Sequence, residues 1–310
     1  MKKLMLLTLL LVLLSATSAL ADTATYRNLT VDTSSTYVNL GSTIVNDYPS
    51  FYTFLDQLPN LRQLDMFDTP ISLADADRLT ERYPGVSFGW SLKVVARDHS
   101  HVIRTDATAY CVLHNNQSVH HTSADFEVLK YCPNMMALDL GHNSIDDLSF
   151  LRYVPQLRVL ILACNNLKDI TPIGELRNLE YLEIFKNDIN DISPLANCTN
   201  LLDLNICFNR IRDWTPLYSL TQLERLWMYN SNNYSENDPV DYAVVQAVKQ
   251  HLPNTKVDYK SYSTTGGWRE HPRYDVLYQM FYTDKLRNGV HGNGTYIPFS
   301  TDEDEIPLPF

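Results

Sequence analysis

The sequence predicts a repeat solenoid, and three observations carry that prediction. The first is self-similarity at a fixed period. From Met135 the chain repeats every 22 residues, with units starting at Met135, Leu157, Leu179, Leu201 and Leu223. The second is strand-like alternation near the start of each unit. Leu138, Leu160, Leu182, Leu204 and Leu226 form one apolar column, and Leu140, Leu162, Ile184, Ile206 and Met228 form another two residues on. The third is a polar column, Asn143, Asn165, Asn187 and Asn209, followed by apolar Ile145, Leu167, Ile189 and Ile211. One such unit cannot bury its own leucines. Stacked units share a continuous core.

Taken in order, residues 1–21 read as a secretory signal peptide. Lys2 and Lys3 precede an apolar run from Leu4 to Leu14, and Ala19-Leu20-Ala21 offers a cleavage site before Asp22. Secretion follows as the expectation, with association to a cell envelope as its variant. Residues 22–50 suit an N-terminal cap, in which Val38 and Leu40 form a capping strand. Residues 51–125 hold atypical, longer units. Leu55, Leu58, Leu61, Leu64 and Met66 repeat the apolar phrase, with Thr69 where the Asn would stand. In 73–90, Leu73, Ala76 and Leu79 have helical spacing, and a proline turn leads to alternating Val86, Phe88 and Trp90. Residues 91–121 leave the period, as a hairpin or an insert would.

The regular array spans 126–230. Its return half reads Leu148, Ile170, Ile192 and Trp214, then Leu151, Ile173, Leu195 and Leu217, with Thr-Pro or Ser-Pro before three of the latter. Residues 231–282 form a C-terminal unit and cap. There 240–259 repeats the helix, Leu-Pro turn and strand plan, and Val276, Leu277, Met280 and Phe281 suit one short helix on the last turn. Residues 283–310 read as a loose tail.

The phrase LxxLxLxxNxIxDIxxL resembles the leucine-rich repeat, and its 22-residue, proline-containing form is similar to the internalin-like class of secreted bacterial proteins. The resemblance covers residues 126–230 most specifically. It implies an α/β fold: a right-handed leucine-rich-repeat solenoid with short parallel strands on the concave face and 3-10 or short helical returns on the convex face. It also implies that the Asn column bonds backbone between turns, as a buried amide must.

Composition narrows the function. The chain has 25 basic and 36 acidic side chains, a net charge of −11, and losing Lys2 and Lys3 takes this to −13. Such a balance disfavours nucleic acid and anionic membrane as partners. Nothing after the leader is apolar for long enough to span a bilayer. The five cysteines, Cys111, Cys132, Cys164, Cys198 and Cys207, include no pair at metal-ligand spacing. Cys132 and Cys198 fall in a core column, whereas Cys207 is expected on the concave surface. The column Asp125, Asp147, Asp169, Asp191 and Asp213 suits turn acceptors better than a calcium ladder. No cofactor, metal site or catalytic residue is expected, and the chain is read as a monomer.

Strand alternation then selects the concave residues. Tyr181, Asp203 and Arg225 share one outward column, and Asp139, Ile161, Glu183, Asn205 and Trp227 share the middle one. Phe185, Cys207 and Tyr229 belong to the last column, and Gln63, Asp65 and Phe67 are the upstream equivalents. Rings beside a few charges are the make-up of a recognition surface. The expected site is therefore Phe67, Asp139, Ile161, Tyr181, Glu183, Phe185, Asp203, Asn205, Arg225, Trp227 and Tyr229. A protein or peptide partner is preferred, with a carbohydrate as the alternative. An envelope spacer is a third reading. A glycan-active enzyme would need Asp139 and Glu183, two rungs and ~10 Å apart, inside a deep pocket. A competing reading is that the C-terminal segment itself folds over the concave face.

Overall fold

The computed structural model describes residues 22–96, 99–112, 121–229, 240–260, 264–281 and 291–299. The leader lies outside them. Strands β1 (Thr23–Tyr26) and β2 (Leu29–Asp32) form an antiparallel hairpin at the N-terminus. Next come β3 (Tyr37–Asn39), helix α1 (Tyr48–Leu55) and β4 (Gln63–Ile71). Asp47 caps α1 by accepting from the Ser50 amide, and Pro49 stands in its first turn, where no intrahelical N–H is lost. Tyr26, Phe51 and Phe54 pack ring on ring beneath this cap.

Helix α2 (Leu73–Arg82) and β5 (Ser87–Ala96) form the first long unit. Ser72 caps the helix and Pro84 follows its end, so its boundaries are written locally. Strand β6 (His99–Arg104) returns antiparallel to β5, which makes the aperiodic segment a hairpin as far as it is described. Sheet order here is β3-β4-β5-β6.

Strand β7 (Ala109–Val112) then opens the regular stack. It continues through β8 (Ala137–Asp139), β9 (Val159–Ile161), β10 (Tyr181–Glu183), β11 (Asp203–Asn205) and β12 (Arg225–Trp227), each parallel to the last. Equivalent residues face each other without slippage, as with Leu182 between Leu160 and Leu204. Helix α3 (Tyr242–His251) leads to β13 (Lys256–Asp258), which adds to β12. Single 3-10 turns form the returns at Ser149–Tyr153, Thr171–Glu175, Ser193–Asn197 and Thr215–Ser219. The core columns, with Cys132 and Cys198 among them, are fully buried between strands and returns.

One ladder holds neighbouring turns in register. The Asn187 amide donates to the Leu162 and Ile184 carbonyls and accepts from the Leu167 amide, each at 3.0 Å. Asn143, Asn165 and Asn209 repeat that geometry. The residue before each Asn, namely His142, Cys164, Lys186 and Phe208, has φ of 53–56°, a left-handed turn that aims the amide inward. The aspartates work locally. Asp147, Asp169, Asp191 and Asp213 each accept from the backbone amide two residues on, at 2.8–2.9 Å.

Two expectations need correction. Val276, Leu277, Met280 and Phe281 do lie in a short helix, α4 (Pro272–Phe281), but it packs against β7 rather than on the last turn. Nor is the tail loose throughout. Strand β14 (His291–Gly294) pairs antiparallel with β7, giving the sheet order β13-β12-β11-β10-β9-β8-β7-β14. A Cβ at position 294 would lie 2.1 Å from the Met280 carbonyl, so only glycine admits this close approach. Among the described residues no helix is long and apolar enough to cross a membrane.

Candidate functional site

The strands deliver the alternation that the spacing predicts, yet the concave face over the regular repeats is covered. Residues 264–281 and 291–299 lie across it. Asp139, Ile161, Tyr181, Glu183, Phe185, Asp203, Asn205, Arg225, Trp227 and Tyr229 are all buried, none more than 7% exposed. They are therefore not an open recognition surface. With Trp268, Val276, Leu277, Met280 and Phe281 the apolar members build a second hydrophobic core on the far side of the sheet. The aromatic columns attracted cover because hiding apolar surface from water is favourable at roughly 25 cal/mol per Å².

Trp268 anchors the cover and is itself fully buried. Its ring meets Tyr181 at 5.7 Å and Trp227 at 5.5 Å between centroids. Its indole N–H donates to Glu183 at 2.7 Å and to the Tyr181 hydroxyl at 2.8 Å, and the Tyr181 hydroxyl in turn donates to Glu183. Burial pushes the Glu183 carboxyl above its ordinary value, against the pull of those donors and of Arg269. Beside it, Asp203 accepts from Arg225 Nε at 2.6 Å and from Arg273 Nη1 at 3.1 Å, and Arg273 reaches on to Glu224. The Arg225 guanidinium lies 4.2 Å from the Trp268 ring and donates to the Trp268 carbonyl at 3.0 Å. Asn205 donates to the Thr264 carbonyl at 2.9 Å. The acids, the amide and Arg225 thus hold the chain's own C-terminal segment.

Asp139 and Glu183 do share an enclosed space, with Arg269, Tyr274 and Leu277 on its wall. Its volume is about 20 Å³. That admits one water molecule and no sugar ring, so the closed structure has no room for glycosidic chemistry there. Cys207, expected at the surface, is 1% exposed, and burial pushes its thiol up to about 12. Thiolate reactivity is suppressed accordingly. Among the described residues, no group of three or more His, Cys, Asp or Glu side chains is arranged to hold a metal ion.

The cover stops short of the first rungs. Tyr37 is 50% exposed, Gln63 is exposed, and Asp65 and Phe67 are half-buried. Of the expected site, only Phe67 remains at a surface. Its ring lies against Gly89 of the next strand, where a Cβ would stand 2.6 Å from both the ring and Asp65. Arg104 covers the ring at 4.2 Å. Beside these rungs, where β5 has the antiparallel β6 rather than a further parallel strand on its far side, a groove of about 570 Å³ opens. Phe88, Trp90, Thr105, Asp106, Lys130 and Tyr131 are among its walls. Phe88 stacks on Trp90 at 4.5 Å and 2°, and Tyr131 meets Trp90 edge-on at 5.2 Å. Repeat spacing missed this groove because it lies at the break in the repeat. The visible signal was Phe88 and Trp90 at strand spacing beside an aperiodic stretch.

A family model described as leucine-rich repeats, in two copies, matches residues 155–197 and 177–219, and a second leucine-rich-repeat model matches residues 131–148. These turns are leucine-rich repeats. The match falls on the rungs whose Leu columns and Asn ladder are described above. Comparison with curated proteins yields no match. Among solved structures the chain is similar to internalin C2 of Listeria monocytogenes, at 25% identity and a TM-score of 0.38 over 66% of this chain and 73% of that one. It is similar to an internalin F of the same organism at 20% identity and a TM-score of 0.34, over 66% and 62% respectively. A leucine-rich-repeat protein of Leptospira interrogans gives 15% identity and a TM-score of 0.36, over 66% and 50%. The chain thus spans between half and three-quarters of the length of these proteins. Leucine-rich repeats are a protein-interaction fold and support a binding role.

Proposed function

We propose that this is a secreted, non-enzymatic binding protein that takes its partner, another macromolecule, on the first rungs of the concave face and in the groove beside them. One observation carries the reading. The concave face is divided: the rungs from β8 to β12 are filled by the chain's own C-terminal segment, while Tyr37, Gln63, Asp65 and Phe67 stay accessible next to a groove of about 570 Å³. That volume is within the ~300–1,000 Å³ usual for ligand sites. The walls combine rings with a few polar groups, as recognition sites do. Secretion rests on the leader alone, with Asp22 as the first residue of the mature chain.

The test begins with protein recovered from the culture supernatant, which should start at Asp22. Immobilised wild type, a Ser87→Phe/Asp65→Ala variant and a Tyr242→Ala control would be exposed to supernatant and envelope fractions of the producing cells. Tyr242 is 63% exposed and far from the groove. Capture should fall at least ~10-fold in the groove variant, the scale of losing a binding anchor, and stay unchanged in the control. Equal capture by all three would remove the groove from recognition.

A further inference from the structure

We infer that the groove takes an uncharged saccharide displayed on the macromolecular partner; this rests on the groove being the binding site. The argument is one of charge and shape. The ionised groups lining the groove are already engaged within the chain. Asp106 holds Arg104 through two hydrogen bonds, at 2.6 and 2.9 Å. Lys130 pairs with Asp77 at 2.7 Å. Asp65 accepts from the Tyr37 hydroxyl and the Gln63 amide, each at 3.0 Å, and these two neutral donors leave lone pairs for further O–H donors. An anionic ligand would have to break one of these pairs to find a counter-charge. The Asp65 carboxylate, hydrogen-bonded by neutral groups, is open to hydroxyl donors and is the place where a cation would compete.

What remains for a ligand among the described residues is mostly neutral, with the Asp65 carboxylate as its one charge. Phe88 has one face on Trp90 and is one of the rings that line the groove. Tyr131 stands beside it, half-buried. Around these rings are the exposed hydroxyl of Ser87, the exposed amides of Gln63 and Asn134, and the Asp65 carboxylate. A pyranose ring matches both halves of that surface. Its C–H face packs on an aromatic ring, and its hydroxyls donate to and accept from planar amide and carboxylate groups. An apolar peptide would instead cover those polar groups without satisfying them, which carries a desolvation penalty.

Isothermal titration of the full mature chain would decide this, with three probes. Two are neutral: a β-linked N-acetylglucosamine tetrasaccharide and a glucose tetrasaccharide. The third is a Lys/Arg-rich hexapeptide. Saturable binding of at least one neutral sugar is expected, with more than ~10-fold loss for Phe88→Ala, as for an aromatic anchor, and ~2- to 10-fold loss for Asn134→Ala, as for one hydrogen bond. Phe88 is half-buried, so its variant is paired with Ser87→Phe, which adds a ring at the exposed mouth and should block entry without touching the core. The saccharide assignment fails if neither sugar binds, or if Asn134→Ala and Ser87→Phe bind as tightly as wild type. Should only the basic peptide bind, and Asp65→Asn abolish it, the groove stands as a site but for a cationic peptide. Should a probe bind with no groove variant altering it, the groove reading falls as well.

Discussion

Asn187 shows how a side chain can be read from a one-dimensional pattern. Its position in the column requires an amide because three backbone groups on two turns converge on it: the Leu162 and Ile184 carbonyls and the Leu167 amide. Asn187→Ala would leave them buried without a partner and is expected to cost about 3 kcal/mol. Urea unfolding would check this, and a loss below ~1 kcal/mol would mean that water or slippage replaces the ladder. Glu183 behaves in the opposite sense, since the pattern placed it on the concave face but not in a buried site. Its folded pKa lies above the ordinary 4.5 because burial outweighs its donors. For a group shifted this way, the stabilising contribution is complete below 4.5 and is lost as pH rises through the folded value. Glu183→Gln keeps an acceptor for the Trp268 and Tyr181 donors and removes that pH-dependent loss. The difference in urea midpoint between variant and wild type should therefore move in favour of Gln as pH rises from 4.5. Parallel pH curves would show that Glu183 is not the group responsible.

At the scale of elements, each regular repeat is a strand, a left-handed turn and a 3-10 return, started by proline in three of the four returns, all specified within 22 residues. The C-terminal segment is specified differently. Helix α4 and strand β14 have little of the local signal that marks the repeats. They are held by what they meet on the sheet: Trp268 against Tyr181 and Trp227, Arg273 against Asp203, and β14 against β7. Trp268→Ala would remove the largest of these contacts together with the indole N–H that two buried oxygens share, at an expected ~3–5 kcal/mol. Because Ile161, Phe185 and Tyr229 lie beneath the same cover, the variant should also expose residues 264–299 to protease and bind a hydrophobic dye. Wild-type protease resistance with wild-type stability would show that the segment is anchored elsewhere.

Over the whole molecule, the returning segment changes the character of the solenoid. A plain repeat array contacts only its neighbours. Here residue 268 packs on rungs β10 and β12, and residues 291–294 reach back to β7. Asn293 bridges further, donating to the Val102 carbonyl at 2.9 Å and accepting from the Arg104 amide at 2.5 Å. The C-terminal segment thereby ties β6 of one sheet to β7 of the other across the break between them. Among the described residues, the same tie leaves the N-terminal rungs as the accessible part of the concave face, so the proposed binding site falls where the repeat is least regular.

Residues 126–230 carried their own fold in plain view. Periods, core columns, the Asn ladder and the Asp turn acceptors are all local or nearest-neighbour features, and each answers to spacing alone. The helix-containing units at 73–90 and 240–259 were legible for the same reason, through a helical segment, a proline turn and a strand in that order. The fate of the concave face was not legible. Tyr181, Phe185, Trp227 and Tyr229 have the composition of a binding surface and equally that of a buried core, and alternation says only that they point away from the leucines. What covers them is set by contacts between residues roughly 90 positions apart, such as Tyr181 with Trp268. The sequence by itself determined the repeat, its register and the sorting of side chains to two faces. Only the tertiary structure decided which of those faces meets water, because burial is a property of the partner surface and not of the residue that is buried.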